Sequence, residues 1–472
     1  MKFESFSDFV DVLNGIAWGP WMLLLLVGTG VYLSFRVGFI QFAKFGYTMR
    51  NTLGKIFKKT AAGEGEVTPF QAVATALAAT VGTGNIAGVT GAICVGGPGA
   101  VFWMWISALF GMVTKYAEVV LAVRYRERND QGDWVGGPMY YIRNGLGKKY
   151  NWLACLFCVL GALAAFGIGN MTQVNTIATS INTAIDSFGG TTAAFTVQLF
   201  GQSVPISSVM TGAVVALIVG MVLFGGIKRI GAVAELMVPV MAAIYILASI
   251  LVIGFNFENI GNVFAMIFKG AFNAEAALGG AFGITIMTTI QKGVGRGVFS
   301  NEAGLGSAPM AHAASSERDP VKQGLYGIFE VFMDTIVICT LTALTLLCGA
   351  SDQITWGQSA GAELIASSFS TVFGAQIGST LVAVGITLFA LSTILSWSLY
   401  GTRCCEFLLG SKAARVYQVL FVAVILVGAS LKLDLVWNIA DTLNGFMAVP
   451  NLIALLGLSP VVIKLTKEHF MK

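Results

Sequence analysis

Ala78-Ala79-Thr80-Val81-Gly82-Thr83-Gly84-Asn85-Ile86-Ala87-Gly88 is the stretch on which the fold turns. Glycine costs a helix interior about 1 kcal/mol relative to alanine, so Gly82-Thr83-Gly84-Asn85 is a poor mid-helix segment. Yet it lies inside a run from Val67 to Thr114 that holds no charged residue. An apolar run of that length belongs in a bilayer, where an unwound turn must find partners for its freed N–H and C=O groups. A bound zwitterion and a cation are suitable partners: half-helix N-termini offer N–H groups to a carboxylate, and freed carbonyls take a cation or an ammonium. Close helix packing is the competing reading of these glycines, and Gly84 and Gly88 have the spacing for it.

The rest of the chain has the same character. Of its 472 residues 56% are hydrophobic and 11% charged, against about 25% charged in a soluble domain. Glycine is in excess, at 57 residues. With 10 prolines and no repeat, collagen and low-complexity readings fail. The charges are clustered, leaving long uncharged runs at 150–185, 187–227, 236–257, 335–351, 364–402 and 442–463. A helical span needs about 20 apolar residues, and none of the runs alternates as a membrane barrel strand does. The chain is predicted to be an all-α polytopic membrane protein. Its net charge of +4 carries no implication of nucleic-acid binding.

Cutting the runs at turns and charge clusters predicts eleven spans: 18–36, 69–95, 99–125, 152–182, 207–226, 230–254, 273–298, 322–350, 377–408, 413–431 and 436–466. The turn Gly96-Gly97-Pro98-Gly99 divides the longest run, because one helix of that length would far exceed a hydrocarbon core of about 30 Å. Lys and Arg set the direction. With 36–68, 124–151, 228–229, 292–322, 403–415 and the C-terminus in the cytoplasm, 24 of the 28 basic residues lie inside. Lys2, Lys269 and Lys432 lie outside and Lys115 within a span. The N-terminus is thus expected outside and the C-terminus in the cytoplasm of a multi-pass cell-membrane protein. Acidic residues at 4, 8 and 11 argue against a cleaved signal peptide. The long connections 183–206 and 351–376 read as interfacial or re-entrant pieces, with Gly361–Phe373 a short amphipathic helix over the outer mouth.

Without the first span, five plus five remain. Two halves with an odd number of spans insert with opposite topology, the arrangement of inverted-repeat transporters. Residues 1–68 form an N-terminal helix and cytoplasmic linker, and the halves are 69–254 and 273–466. The second half opens with its own glycine cluster, Gly279-Gly280-Ala281-Phe282-Gly283, where Phe282 offers an aromatic wall or lid. Matching breaks in matching spans point to a site at the bilayer midplane.

Three further stretches resemble a known family. Gly96–Gly111 (GGPGAVFWMWISALFG), Gly297–Pro309 (GVFSNEAGLGSAP) and Gly136–Tyr141 (GGPMYY) are similar to signatures of the alanine or glycine:cation symporter family, the sodium:alanine symporters. The resemblance covers nearly the whole chain. It implies the amino-acid–polyamine–cation superfamily and the five-plus-five fold of the bacterial leucine transporter, with Val81–Asn85 as the first unwound segment and Glu118 at a position where that fold also has a glutamate. By that resemblance the N–H groups of Thr83 and Gly84 take the substrate carboxylate, and the Thr80 carbonyl, with backbone near Gly279 and Gly280, takes the ammonium. Carbonyls of Ala78 and Val81 with hydroxyls of Ser392 and Thr393 would hold Na⁺, a hard ion that requires oxygen ligands. Hydroxyls in membrane helices also bond the carbonyl four residues back, which is the plainer reading of Ser392 and Thr393.

Other polar residues in the spans have two readings. Asn170 and Gln173, three apart, are candidate substrate contacts or a helix–helix hydrogen bond. Thr80 and Asn85 could serve a second sodium. Lys115 and Glu118 at i, i+3 read as a structural clasp, while Glu118 and Asp334 are the candidates if protons rather than sodium drive transport. Seven cysteines, Cys155 and Cys158 among them, lie in or beside apolar runs and read as packing residues. With His312 and His469 the only histidines, a zinc site or catalytic triad is not expected, nor is an enzyme. An ion channel would need a filter ring or symmetric assembly. The predicted function is a sodium-coupled symporter importing a small neutral amino acid, alanine or glycine, with Phe166, Met171 and Phe282 limiting the side chain.

Overall fold

A computed structural model describes residues 6–55, 63, 66–199, 201–273, 284–358, 360–430 and 434–471. Eight described helices are long and apolar enough to cross a membrane, and the bent pair Pro69–Thr80 and Gly84–Gly96 makes a ninth. One of the eight, Ala375–Ser430, is two helices parted at Gly410, where φ of 82° ends the first. The predicted span 273–298 has its first part outside the described residues. Its helix, Ile286–Asn301, starts at the N-cap Thr285, whose hydroxyl accepts from Thr288 N–H.

The first described helices are Phe6–Ala17 and Pro20–Arg36, so helix begins earlier than the predicted 18. Phe6–Ala17 lies against the helix Leu435–Phe470 near the end of the chain: Asn14 donates to Asp441 Oδ2 at 3.1 Å and Trp18 to the Asp441 carbonyl at 3.1 Å. The helix Pro69–Thr80 is opened by a capping box, in which Thr68 Oγ1 accepts from Gln71 N–H and Gln71 Oε1 from Thr68 N–H, both at 3.1 Å. Ala100–Arg124 then runs through the middle of the bundle, buried without interruption from Gly111 to Val123. Apolar side chains such as Leu24, Leu217, Leu247 and Val416 stand exposed around the perimeter, the pattern of a surface that meets lipid.

The connection 183–206 contains an antiparallel hairpin, Thr196–Leu199 with Gln202–Pro205, with four cross-strand pairs. One sequence expectation is corrected by the packing. Lys292 and Arg296, assigned to the cytoplasmic side, sit at the opposite end of the bundle on that same assignment. Thr289 Oγ1 donates to the Gly96 carbonyl at 2.7 Å, which places the start of Ile286–Asn301 beside the Gly96–Gly99 turn. On that assignment the basic balance becomes 22 against five. In the connection 351–376 the expected short helix is present as Ala362–Phe373.

Candidate functional site

The bundle is organised around the break. Val81 leaves the helix at φ −77°, ψ 82°, Gly84–Gly88 follow as a π-turn, and the two halves meet at 48°. Asn85 caps its own break: its Oδ1 accepts from Gly82 N–H at 2.8 Å, satisfying one of the freed donors. Gly82 is held against the helix 375–409, since a Cβ there would lie 2.5 Å from Thr393 Oγ1.

The hydroxyls of that helix reach the freed carbonyls. Ser392 Oγ donates to the Ala78 carbonyl at 3.2 Å, and Thr393 Oγ1 lies 3.1 Å from the Ala78 and 3.3 Å from the Ala79 carbonyl. Both hydroxyls also bond Phe389 O, at 2.8 and 3.0 Å, so the local bond and the cross-helix bond coexist. Ala78, Val81, Ser392 and Thr393 are all buried; the two hydroxyls meet the carbonyls of Ala78 and Ala79 rather than that of Val81, neutral oxygens of the kind a hard monovalent cation takes.

On the other side of the break, Thr83 Oγ1 donates to Gln173 Oε1 at 3.0 Å, while Gln173 Nε2 is anchored on the Ile168 carbonyl at 2.9 Å. Asn170 is directed elsewhere: its Nδ2 donates to the Phe421 carbonyl at 2.7 Å, the helix–helix bond, and its buried Oδ1 has no partner among the described residues. Thr80 is buried with its hydroxyl on Leu77 O at 3.3 Å, leaving its backbone at the edge of the break. Gly84 faces Phe299, whose ring lies 3.5 Å from where a Cβ would stand. Gly279, Gly280 and Phe282 lie outside the described residues.

Asp334 is the group whose role its position in the chain did not disclose. Its Oδ1 accepts from Asn85 Nδ2 at 2.7 Å, and its Oδ2 from Ser300 Oγ at 2.9 Å and Thr335 Oγ1 at 2.8 Å. One carboxylate thus joins the broken helix, the end of Ile286–Asn301 and the Pro320–Gly349 span. It sits in a π-turn, Phe332–Cys339. Gly84–Gly88 and Gly167–Met171, just before Gln173, are also π-turns. Such turns inside helices collect at functional sites. The one signal in the sequence was the carboxylate itself, at the border of the uncharged run 335–351.

Lys115 and Glu118 do not form the expected clasp. Glu118 Oε1 accepts from Gly304 N–H and Gly306 N–H, each at 3.1 Å, and from Asn451 Nδ2 at 2.5 Å. Three donors from the buried turn 302–308 and a neighbouring helix outcompete the lysine, whose Nζ has no hydrogen-bond partner among the described residues. Glu302, in the left-handed region at φ 55°, accepts from Trp397 Nε1 at 2.8 Å and from Ser307 Oγ. These contacts pack protein beneath the break. Above it, a cavity of about 430 Å³ is lined by Thr83 and Gly84 and also by Gly361 and Trp437. Two of the three residues expected to limit the substrate are elsewhere: the Phe166 ring packs on Tyr417 and Phe421 at 4.7 and 5.8 Å, and Met171 lies against Gly428. Phe299 lines the cavity instead.

Residues 3–472 match the sequence model of the sodium:alanine symporter family. The chain is 46% identical over 469 residues to the sodium/alanine symporter AgcS of Methanococcus maripaludis, covering 98% of this chain and 97% of that one. It is 45% identical to an uncharacterized transporter of Haemophilus influenzae, over 99% and 97% of the two chains, and 37% identical to the probable sodium/glutamine symporter GlnT of Bacillus subtilis, over 99% and 91%. Among solved structures, MhsT in complex with L-phenylalanine superposes with a TM-score of 0.57 at 13% identity, covering 86% of this chain and 99% of that one. At that identity the likeness is one of fold, the leucine-transporter type.

Proposed function

Because the chain belongs to the sodium:alanine symporter family, we propose that the break at Val81–Gly84 binds a small neutral amino acid, alanine or glycine, beside the sodium ion that drives its import. The chain is a sodium-coupled membrane symporter and not an enzyme. The observation that carries the site reading is that Ser392 and Thr393 meet the Ala78 carbonyl on one side of the break, while Gln173 meets Thr83 on the other.

In this reading the Thr83 and Gly84 N–H groups hold the carboxylate and the Thr80 carbonyl takes the ammonium. Gln173 orients Thr83. Asn85, held by Asp334, fixes the second half-helix, and Phe299 over Gly84 leaves room for a methyl side chain and little more. Sodium replaces the hydroxyl protons of Ser392 and Thr393 as the partner of the Ala78 carbonyl, with Val81 completing the shell. Ion and substrate thus order the same short backbone segment, and each raises the affinity of the other. The two repeats are 69–254 and 273–466, with residues 1–68 outside them, and alternating access rocks the helix bundle that contains both broken helices against the rest. The cavity mouth faces the exterior and the chain ends in the cytoplasm, as the distribution of basic residues indicates. Uptake of alanine into proteoliposomes tests the reading: it should require sodium and collapse when potassium replaces it, and uptake indifferent to that exchange would refute it.

A further inference from the structure

We propose that a groove at the end of the bundle opposite the outer cavity binds one anionic phospholipid, its phosphate on three cations and an acyl chain against the apolar walls. The groove stands apart from the break and does not depend on what the break binds. It has a volume of about 400 Å³ and lies between the ends of two spanning helices, Pro20–Arg36 and Leu435–Phe470. At their other ends the same two segments meet beside the cavity, where Asn14 and Trp18 donate to Asp441. Ile40, Ile463 and Phe470 give the groove apolar walls, and Arg36, Lys44 and Lys467 stand around it. No carboxylate lines it among the described residues.

None of the three cations forms an ion pair within 4 Å among the described residues. Aromatic rings steady two of them without neutralising them. Arg36 donates to the Tyr32 hydroxyl at 2.5 Å with its guanidinium 5.3 Å from that ring's centre, and Lys44 Nζ lies 5.3 Å from the centre of the Phe470 ring. Lys44 arrives there through a turn: Gly38 (φ 70°) and Phe39 (φ 51°), both left-handed, end the spanning helix and lead into Ile40–Ala43. Phe35, Phe39 and Phe42 follow one another as a run of rings, 4.9 and 6.4 Å between centres, with Phe35 and Phe42 exposed. Aromatic rings collect at the level of the lipid headgroups, so the cations stand at phosphate height. Cations at a helix C-terminus also answer the helix dipole, but that role calls for neither an apolar groove nor three elements converging on it. A guanidinium takes phosphate in a two-pronged geometry, and basic pockets between spanning helices take anionic headgroups. The apolar walls favour a phosphate that carries an acyl chain over a free one. A zwitterionic headgroup would bring its own cation into the cluster and is disfavoured by repulsion.

Thermal unfolding of the purified full-length protein in detergent, with phosphatidylglycerol or phosphatidylcholine added, tests this, together with native mass spectrometry of the lipid that stays bound. Phosphatidylglycerol should raise the melting temperature and be retained as a single lipid, and phosphatidylcholine should do neither. Arg36→Gln and Lys467→Gln should each weaken phosphatidylglycerol binding about tenfold, the loss of one charge-assisted contact, while melting without lipid stays close to that of the wild type. Arg36→Lys should recover part of the loss. Ala43→Trp enters the groove from its exposed edge with every charge kept. It should block the lipid as well, and it keeps the proposal falsifiable if a charge variant fails to fold. Equal shifts from the two lipids would overturn the proposal. So would a phosphatidylglycerol shift unmoved by Arg36→Gln, Lys467→Gln and Ala43→Trp, or the same shift from inorganic phosphate alone.

Discussion

Thr393→Ala isolates one oxygen of the ion site. Thr393 Oγ1 lies 3.1 Å from the Ala78 carbonyl and 3.3 Å from that of Ala79, while Ser392 also reaches Ala78 at 3.2 Å. A neutral hydrogen bond contributes about 1 kcal/mol net, and one to a charged group about 1.5–3 kcal/mol. The substitution therefore removes about 1 kcal/mol from the ion-free state and about 2.5 kcal/mol from the ion-bound one. The difference, about 1.5 kcal/mol, raises the half-saturating sodium concentration roughly tenfold. The side chain only shrinks, so no new atom is pressed against Gly82, and Thr393→Ser should restore most of the loss. The assay is initial-rate alanine uptake in proteoliposomes titrated with sodium at constant ionic strength. An unchanged sodium half-saturation, with a raised alanine KM at saturating sodium, would refute the assignment and move Thr393 to the substrate.

Gln173→Ala should weaken alanine binding about fivefold to tenfold through the lost Thr83 contact, with sodium dependence retained; isothermal titration on the purified protein measures it. Asp334→Asn places an N–H₂ group where Asn85, Ser300 or Thr335 now donates, so about 1–3 kcal/mol of stability should be lost. Transport should fall with it, whereas sodium-driven uptake at full rate would show that this carboxylate is dispensable. At the bundle end opposite the cavity mouth, partial burial alone would raise the Glu66 carboxyl, but the Trp134 and Gly63 N–H groups and Arg318 outweigh it and hold it below the usual carboxylate range. A depressed folded value contributes stability above the unfolded value, near 4.3, and that stability is lost as pH falls through the folded one. Melting temperature should therefore drop on acidification below about pH 4.3, and drop less in Glu66→Gln; equal slopes would contradict this.

Much of the fold was legible in where charge is absent, because a bilayer admits only segments that satisfy their own backbone. The first break was legible for the same reason: Gly82 and Gly84 sit where an uninterrupted helix would not put them. The alignment of Ser392 and Thr393 with Ala78 came from a family resemblance, since nothing in spacing brings together residues more than 300 positions apart. Asn170 and Gln173 were expected to share a face on a regular helical period. The π-turn Gly167–Met171 widens the spiral there, turning Asn170 toward Phe421 and leaving Gln173 on the break. Lys292 and Arg296 were misplaced because the positive-inside rule describes loops, and these two lie on a helix lining a water-accessible cavity. Phe166 and Phe299 were indistinguishable as apolar aromatics until packing put one against Tyr417 and the other over Gly84.

That ion and amino acid share one unwound segment is tested most directly by reciprocal titration of the purified protein, with alanine affinity measured with and without sodium and sodium affinity with and without alanine. The two affinities should rise by the same factor, as linkage through a common backbone requires, and both factors should fall toward one in Ser392→Ala with Thr393→Ala. Alanine binding of equal strength in sodium and in potassium would contradict it.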